Sequence, residues 1–202
     1  MKKFLSIVIF TFFIFNVHSQ ELKRKRTSDG DIKESYFVLK SDKNVKHGDY
    51  ELKIVGKKVQ KGQFRYGKKS GIWIYYKTSG ETEFSYNYDA DSIVPNNPDE
   101  TILTYYSEGN QYFWYLIGKN IQYPADAREA GIKGMIIVSF TVDIDGKAKD
   151  FLVNAGCGNL SLNTEALRVV EIAATEHCWF HRANAKGERQ KADFLYPVSF
   201  RL

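Results

Sequence analysis

Cysteine and proline are scarce in this chain of 202 residues, which holds two of the first and four of the second. No cysteine stands near the apolar run at the start, which excludes a lipid anchor on a processed cysteine. Only Pro95 and Pro98 fall in the middle of the chain, which excludes a long proline-rich spacer. Long hydrophobic runs are missing too. The longest, Phe4 to Val17, is short of the about 20 apolar residues that a bilayer-spanning helix needs. Charge of one sign is not dominant. The formal net charge is +5, two of the lysines stand ahead of the apolar run, and the rest of the surplus is scattered. That balance gives no footprint for nucleic acid. No nucleophile elbow, phosphate-cradling glycine loop or serine–histidine–carboxylate pattern is present, so the residues point to no enzyme and imply no cofactor.

What the sequence does contain falls into segments. Lys2 and Lys3 precede the apolar run and "VHSQE" follows it, the layout of a secretory signal over 1–19 with cleavage after Ser19. An uncleaved anchor is the alternative, and the basic cluster Lys23 to Arg26 keeps it open, because flanking cations orient apolar segments. Residues 20–35 read as a basic, solvated tail. Residues 36–94 read as a small all-β region of hairpins. The pair Pro95 and Pro98 with two asparagines between them marks a linker over 95–109, and 110–202 form the second unit.

The hairpin region carries a weak internal repeat. "HGDYELKIVGKKVQKGQF" lies over "SGIWIYYKTSGETEFSYNY", so Gly48 falls on Gly71, Tyr50 on Trp73, Gly56 on Gly80 and Phe64 on Tyr88. Each unit reads as strand, glycine turn, strand. The pattern resembles the MORN-type repeats of YwqK-like proteins, with "GQFRYGKKSGIWIYY" the best-matching piece. A structural β-meander and an exposed aromatic binding surface are both compatible with it.

The second unit is more regular. In "NQYFWYLIGKNIQ", Phe113, Trp114, Ile117 and Ile121 fit a helical stripe, with Asn110 as its cap. Pro124 suits the first turn of a short helix that Gly131 ends. Ile136, Val138, Phe140 and Val142 alternate as the buried face of a strand. Asp145-Gly146 is a two-residue hairpin signal, and Lys147 to Ala155 return as its partner strand. Leu162, Ala166, Val169, Val170 and Ala173 share one helix face, capped by Ser161 or Asn163. "ADFLYPVSFRL" ends the chain as a strand. The expected fold is α+β, a two-layer sandwich of a three-stranded antiparallel sheet with helices.

The order of Tyr123-Pro124, Gly131, Gly134, Asp145-Gly146, Glu165-Ala166-Leu167-Arg168, Trp179, Gly187 and Pro197-Val198-x-Phe200 resembles the TonB C-terminal domain in its Bacteroidetes-type form, over about 110–202. The resemblance implies a periplasmic domain that takes a short segment of a TonB-dependent outer-membrane receptor as an added strand. The receiving edge would be Ala192, Asp193, Phe194, Leu195, Tyr196, Val198 and Phe200. It also implies inner-membrane motor proteins as partners if the chain is anchored. The short apolar run and the missing proline-rich span depart from a full energy transducer. A freely pairing edge leaves homodimers open.

Candidate chemistry is sparse. Cys157 and Cys178 invite a disulfide in an exported chain. The helix expected between them sets its ends about 20 Å apart, against the about 7 Å that a disulfide tolerates. A bond is open only if loop 156–160 folds back along that helix. His177, Cys178 and His181 cluster, but their spacing matches no standard metal site, and no metal is expected. Turn chemistry accounts for Asp143 and Asp145, and a surface ion pair for Glu165 and Arg168.

Overall fold

The computed structural model describes residues 21–94, 104–181 and 188–202. The signal segment, Pro95 to Pro98 and Gly187 lie outside the described residues. Seven strands follow in order: β1 (Leu22–Asp29), β2 (Ile32–Leu39), β3 (Lys46–Ile54), β4 (Lys57–Arg65), β5 (Lys68–Tyr76), β6 (Thr82–Asn87) and β7 (Ser92–Val94). They form one antiparallel meander, each strand beside its sequence neighbour.

This seven-stranded sheet is larger than the small hairpin region expected, because it absorbs the residues read as a basic tail. Leu22 to Asp29 pair with β2, Asp29 opposite Ile32 at the turn and Leu22 opposite Leu39 at the far end. The four cations of Lys23 to Arg26 lie on an edge strand, where charge discourages pairing with another chain.

The repeated positions play matching parts. Gly48 and Gly71 both have positive φ. Tyr50 and Trp73 both point into one core, with ring centroids 5.3 Å apart. Gly62 lies under Trp73: a Cβ there would stand 2.3 Å from the indole. The aromatics Tyr50, Trp73, Tyr75, Phe84 and Tyr86 are buried, so they do not form the exposed binding surface that the sequence left open.

The second half begins with β8 (Thr104–Tyr106), inside the segment read as linker. Then come α1 (Asn110–Asn120), α2 (Ala125–Glu129), β9 (Gly134–Val142), β10 (Ala148–Ala155), α3 (Leu160–Glu176), β11 (Trp179–His181) and β12 (Ala192–Phe200). The three-stranded sheet has the order β10-β9-β12, and β8 pairs with β11 in a separate two-stranded ribbon. Ile136, Val138, Phe140 and Val142 of β9 pack on Leu162, Ala166, Val169, Val170 and Ala173 of α3. Fully burying a Val, Leu, Ile or Phe side chain contributes about 1.5–3 kcal/mol, and the two alanines less.

Several local expectations change. The stripe of α1 is Gln111, Phe113, Leu116 and Ile117, and Trp114 is left outside it. Asn110 is the first residue of α1 rather than its cap. Pro124 precedes α2 as an extended residue. Asn159, rather than Ser161 or Asn163, caps α3, accepting from the Leu162 N–H at 2.9 Å. The hairpin loop has three residues, not two. Asp143 N–H donates to Lys147 O at 2.9 Å and Gly146 N–H to Asp143 O at 2.8 Å, with Gly146 in the left-handed region.

Candidate partner-binding edge

Among the described residues, β12 has β9 on one side and no strand on the other. Its nine residues are in register with β9 from Ala192–Val142 to Phe200–Gly134, without a bulge. The phase of the ladder follows from the hairpin. Asp143 directs its N–H toward the β10 side, so the even-numbered residues of β9 bond toward β12. Ala192, Phe194, Tyr196, Val198 and Phe200 therefore bond inward. Asp193, Leu195, Pro197 and Ser199 direct their backbone groups outward. Pro197 agrees with this phase, since its missing N–H falls on the outer side, where no internal bond is lost. The outward donors are thus Asp193, Leu195 and Ser199.

Side chains sort the same way. Phe194 stacks on Phe140 at 5.2 Å and lies 4.7 Å from Trp179. Tyr196 meets Phe113 at 5.0 Å and Trp114 at 5.5 Å. Val198 and Phe200 are buried, whereas Asp193, Leu195 and Ser199 are exposed on the face without helices. Burial pushes the Tyr196 hydroxyl well above the usual phenol range.

The residues singled out in the sequence as a motif brace the two ends of this sheet. At one end, the Tyr123 hydroxyl donates to Ile132 O at 2.5 Å, and its ring meets Phe200 at 5.5 Å. Pro124 is the extended N-cap of α2, Gly131 turns the chain just past its C-cap at φ 66°, and Ala127 between them is buried. Arg168 holds Glu165 through two bonds of 2.7 Å. This pair does more than decorate the surface. Glu165 accepts from Gln122 N–H at 2.6 Å and Arg168 donates to Asn120 O at 2.8 Å, so it fastens the chain after α1 to α3. Burial pushes the Glu165 carboxyl up, but the Arg168 bonds and charge together with the Gln122 N–H outweigh it and hold the group below the usual range. Ala166 and Leu167 face the core beside it. Gly134 opens β9 under Cys157, whose Cβ would lie 2.4 Å from a Cβ added there.

At the other end, Trp179 N–H donates to Gly146 O at 2.9 Å, and its indole N–H to Ala174 O at 3.0 Å. Asp145 caps the turn by accepting from Lys147 N–H at 3.1 Å. His181 is buried between Thr104 Oγ1 (3.0 Å) and Asp143 O (2.7 Å). A carbonyl only accepts, so Nε2 carries the proton and Nδ1 accepts from the Thr104 hydroxyl. Burial lowers its pKa further. Both ring nitrogens are used in tying β8, β11 and the hairpin together. Among the described residues no group of His, Cys, Asp and Glu is placed to hold a metal ion. Cys157 and Cys178 are free thiols. The helix between them keeps Cys157 at Gly134 and Cys178 at the β11 end.

Residues 119–202 match the family described as Gram-negative bacterial TonB protein C-terminal. This TonB C-terminal match takes in α2, α3 and the whole three-stranded sheet, and it leaves the seven-stranded sheet outside. Two solution structures of the C-terminal domain of Helicobacter pylori TonB are similar to the chain. The longer fragment is 26% identical over 46% of this chain and 79% of its own, with a TM-score of 0.38. The shorter is 25% identical over 46% of this chain and 91% of its own, with a TM-score of 0.36. No curated protein matches the chain.

What the sequence did not reveal is the contact between the two halves. Phe180 stacks on Tyr86 at 3.7 Å and Tyr105 on Phe84 at 4.5 Å. Lys69 pairs with Glu108 at 2.8 Å while its ammonium lies 4.4 Å from the Trp73 ring. Gln111 donates to Lys58 O at 3.0 Å and to Tyr76 O at 2.5 Å. No spacing rule links residues so far apart in the chain, so the sequence held no signal for them. Among the described residues no helix is long and apolar enough to cross a membrane.

Proposed function

We propose that the chain is a periplasmic, TonB-like protein that takes an extended segment of an outer-membrane receptor onto β12 and so assists energy-coupled transport across that membrane. The observation that carries this reading is the free edge of β12, in the half of the chain that matches the TonB C-terminal family. An edge strand offers an extended peptide a row of backbone donors and acceptors, which gives affinity with little demand on sequence. Here the row is Asp193, Leu195 and Ser199 as donors, interrupted at Pro197. No covalent chemistry is required of the protein, and the role is that of a non-enzymatic binding module.

The test is a titration of isotope-labelled protein with synthetic peptides copied from the periplasmic N-terminal segments of TonB-dependent receptors. Amide shifts concentrated at Asp193, Leu195 and Ser199 are expected. Shifts confined to the β1 or β10 edge would refute the assignment.

A second reading is an exported envelope-interaction module that moves no energy. The observation in its favour is the position of β1, which starts at Leu22, close behind the apolar run, with the folded sheet following at once. No extended spacer separates the two. Fractionation and the intact mass of the native protein decide between them. A chain beginning at Gln20 in the soluble periplasmic fraction favours the module, and a full-length chain in the inner membrane favours the coupled role.

A further inference from the structure

A cleft of ≈ 630 Å³ opens where the two halves of the chain meet. The turn after β5 gives it Lys77 and Thr78, β6 gives Glu83, β8 gives Tyr105, α1 gives Trp114 and β12 gives Phe194. Its walls are therefore aromatic, with a carboxyl and an ammonium at one side. Trp114 is 61% exposed, although its helix neighbour Phe113 is buried in the core and Tyr112 and Tyr115 are partly buried. Its ring lies on Tyr196, the next core-side residue of β12 after Phe194. The Tyr196 hydroxyl beside it is buried without a hydrogen-bond partner. An exposed indole beside an aromatic-lined cleft marks a surface that gains from being covered.

The cleft is continuous with the free edge, because Phe194 belongs to both. Phe194 bonds inward to β9, so a residue on an added strand directly opposite would form a non-hydrogen-bonded pair with it. Such pairs bring the Cα atoms to about 4.5 Å, and their side chains leave the sheet on the same face. That face is the one with α1, and the cleft lies there.

We propose that this cleft is a specificity subsite for the segment that β12 receives: it takes one bulky apolar side chain, carried by the residue opposite Phe194, between Trp114 and the β5–β6 turn. The inference rests on strand addition at β12 and adds to it a reason for the seven-stranded sheet, which supplies one wall of the pocket through Lys77, Thr78 and Glu83. Backbone bonding alone accepts any sequence, whereas a cleft with aromatic walls selects.

Two substitutions on exposed side chains test this with little risk to the fold, Trp114→Ala and Thr78→Trp. The first removes a wall and the second fills the mouth. The receptor-derived peptide that binds best is compared with versions carrying Ala, Leu, Phe or Asp at each alternate position. One position should favour Leu and Phe over Ala by about tenfold and reject Asp. Both substitutions should abolish that preference while leaving the affinity for the Ala peptide unchanged. Independently, N-acetyl-phenylalaninamide should shift the Trp114 indole N–H resonance in the native protein and not in Thr78→Trp.

The outcomes separate the two ideas. Peptide binding that neither substitution alters, with no response to the amide, would overturn the cleft and keep strand addition. A response to the amide without peptide binding would overturn strand addition and keep an apolar side-chain site. Self-association weakened by Thr78→Trp would identify a second copy as the occupant and overturn the proposal.

Discussion

Glu83 of the seven-stranded sheet caps the first helix of the other half: it accepts from the Asn110 backbone N–H at 3.2 Å and from the Asn110 side-chain amide. The residue before α1, Gly109, has no side chain to do this. A carboxylate at a helix N-terminus also answers the positive end of the helix dipole. The two halves therefore share a helix end as well as a core.

That cap should make stability depend on pH. Glu83 is 8% exposed, and burial pushes its carboxyl up to about 7, with the Asn110 bonds opposing. The unfolded chain releases the proton near 4.5. Between those values the folded state binds more protons, so stability falls as pH rises and levels off above about 7. The full contribution is roughly 3 kcal/mol at most. Denaturant melts of the native chain and of Glu83→Gln, run from pH 4 to 8, should differ in slope over that window. Parallel curves would show that Glu83 titrates normally.

The Lys69–Glu108 pair is the polar part of the same junction, and Gln60 also donates to Glu108 at 2.8 Å. Burial pushes the Lys69 ammonium down, with Glu108 opposing. Removing the partner leaves a cation among aromatic rings. Glu108→Ala should cost about 2–3 kcal/mol, somewhat below the range for fully buried pairs, and the double change with Lys69→Met should recover part of it. Equal losses in single and double variants would mean that the pair is not coupled.

Proline substitutions distinguish the two sides of β12. Leu195→Pro removes an outward donor, so receptor-peptide affinity should fall about five- to tenfold with little change in melting temperature. Phe194→Pro removes a bond to β9 and should destabilise the fold by about 3 kcal/mol. If Phe194→Pro were the milder of the two in thermal melts, the ladder phase would be inverted.

Gly146 is required twice over. Its φ is 79°, and an added Cβ would lie 2.5 Å from the Trp179 carbonyl oxygen. Gly146→Ala should cost about 2–3 kcal/mol from strain and from the displaced Trp179 backbone. Trp179 fluorescence should report the displacement.

The elements that the sequence disclosed are those governed by local rules. Alternation in Ile136 to Val142 fixed the buried face of β9. The spacing from Leu162 to Ala173 fixed that of α3. A glycine after Asp145 announced the hairpin, although its loop proved one residue longer, because the left-handed Gly146 sits in a bulge. The order of short motifs was enough to point to the family that later matched. Where two local readings were equal, the sequence could not choose. Phe113 fits a stripe with Trp114 or with Leu116, and which one is buried depends on where Tyr106, Trp179 and Tyr196 lie.

The sequence by itself determined α1, α2, β9, β10, α3 and the terminal strand β12, but not β8 or β11, since periodicity and turn chemistry act between near neighbours. Only the tertiary structure decided that β12 lies at an edge, that its free donors are Asp193, Leu195 and Ser199, and that Glu83 and Thr78 line one cleft with Phe194. Those facts depend on which strands pair and which faces pack. Such choices are made by burial summed over the whole chain, which no short stretch of sequence records.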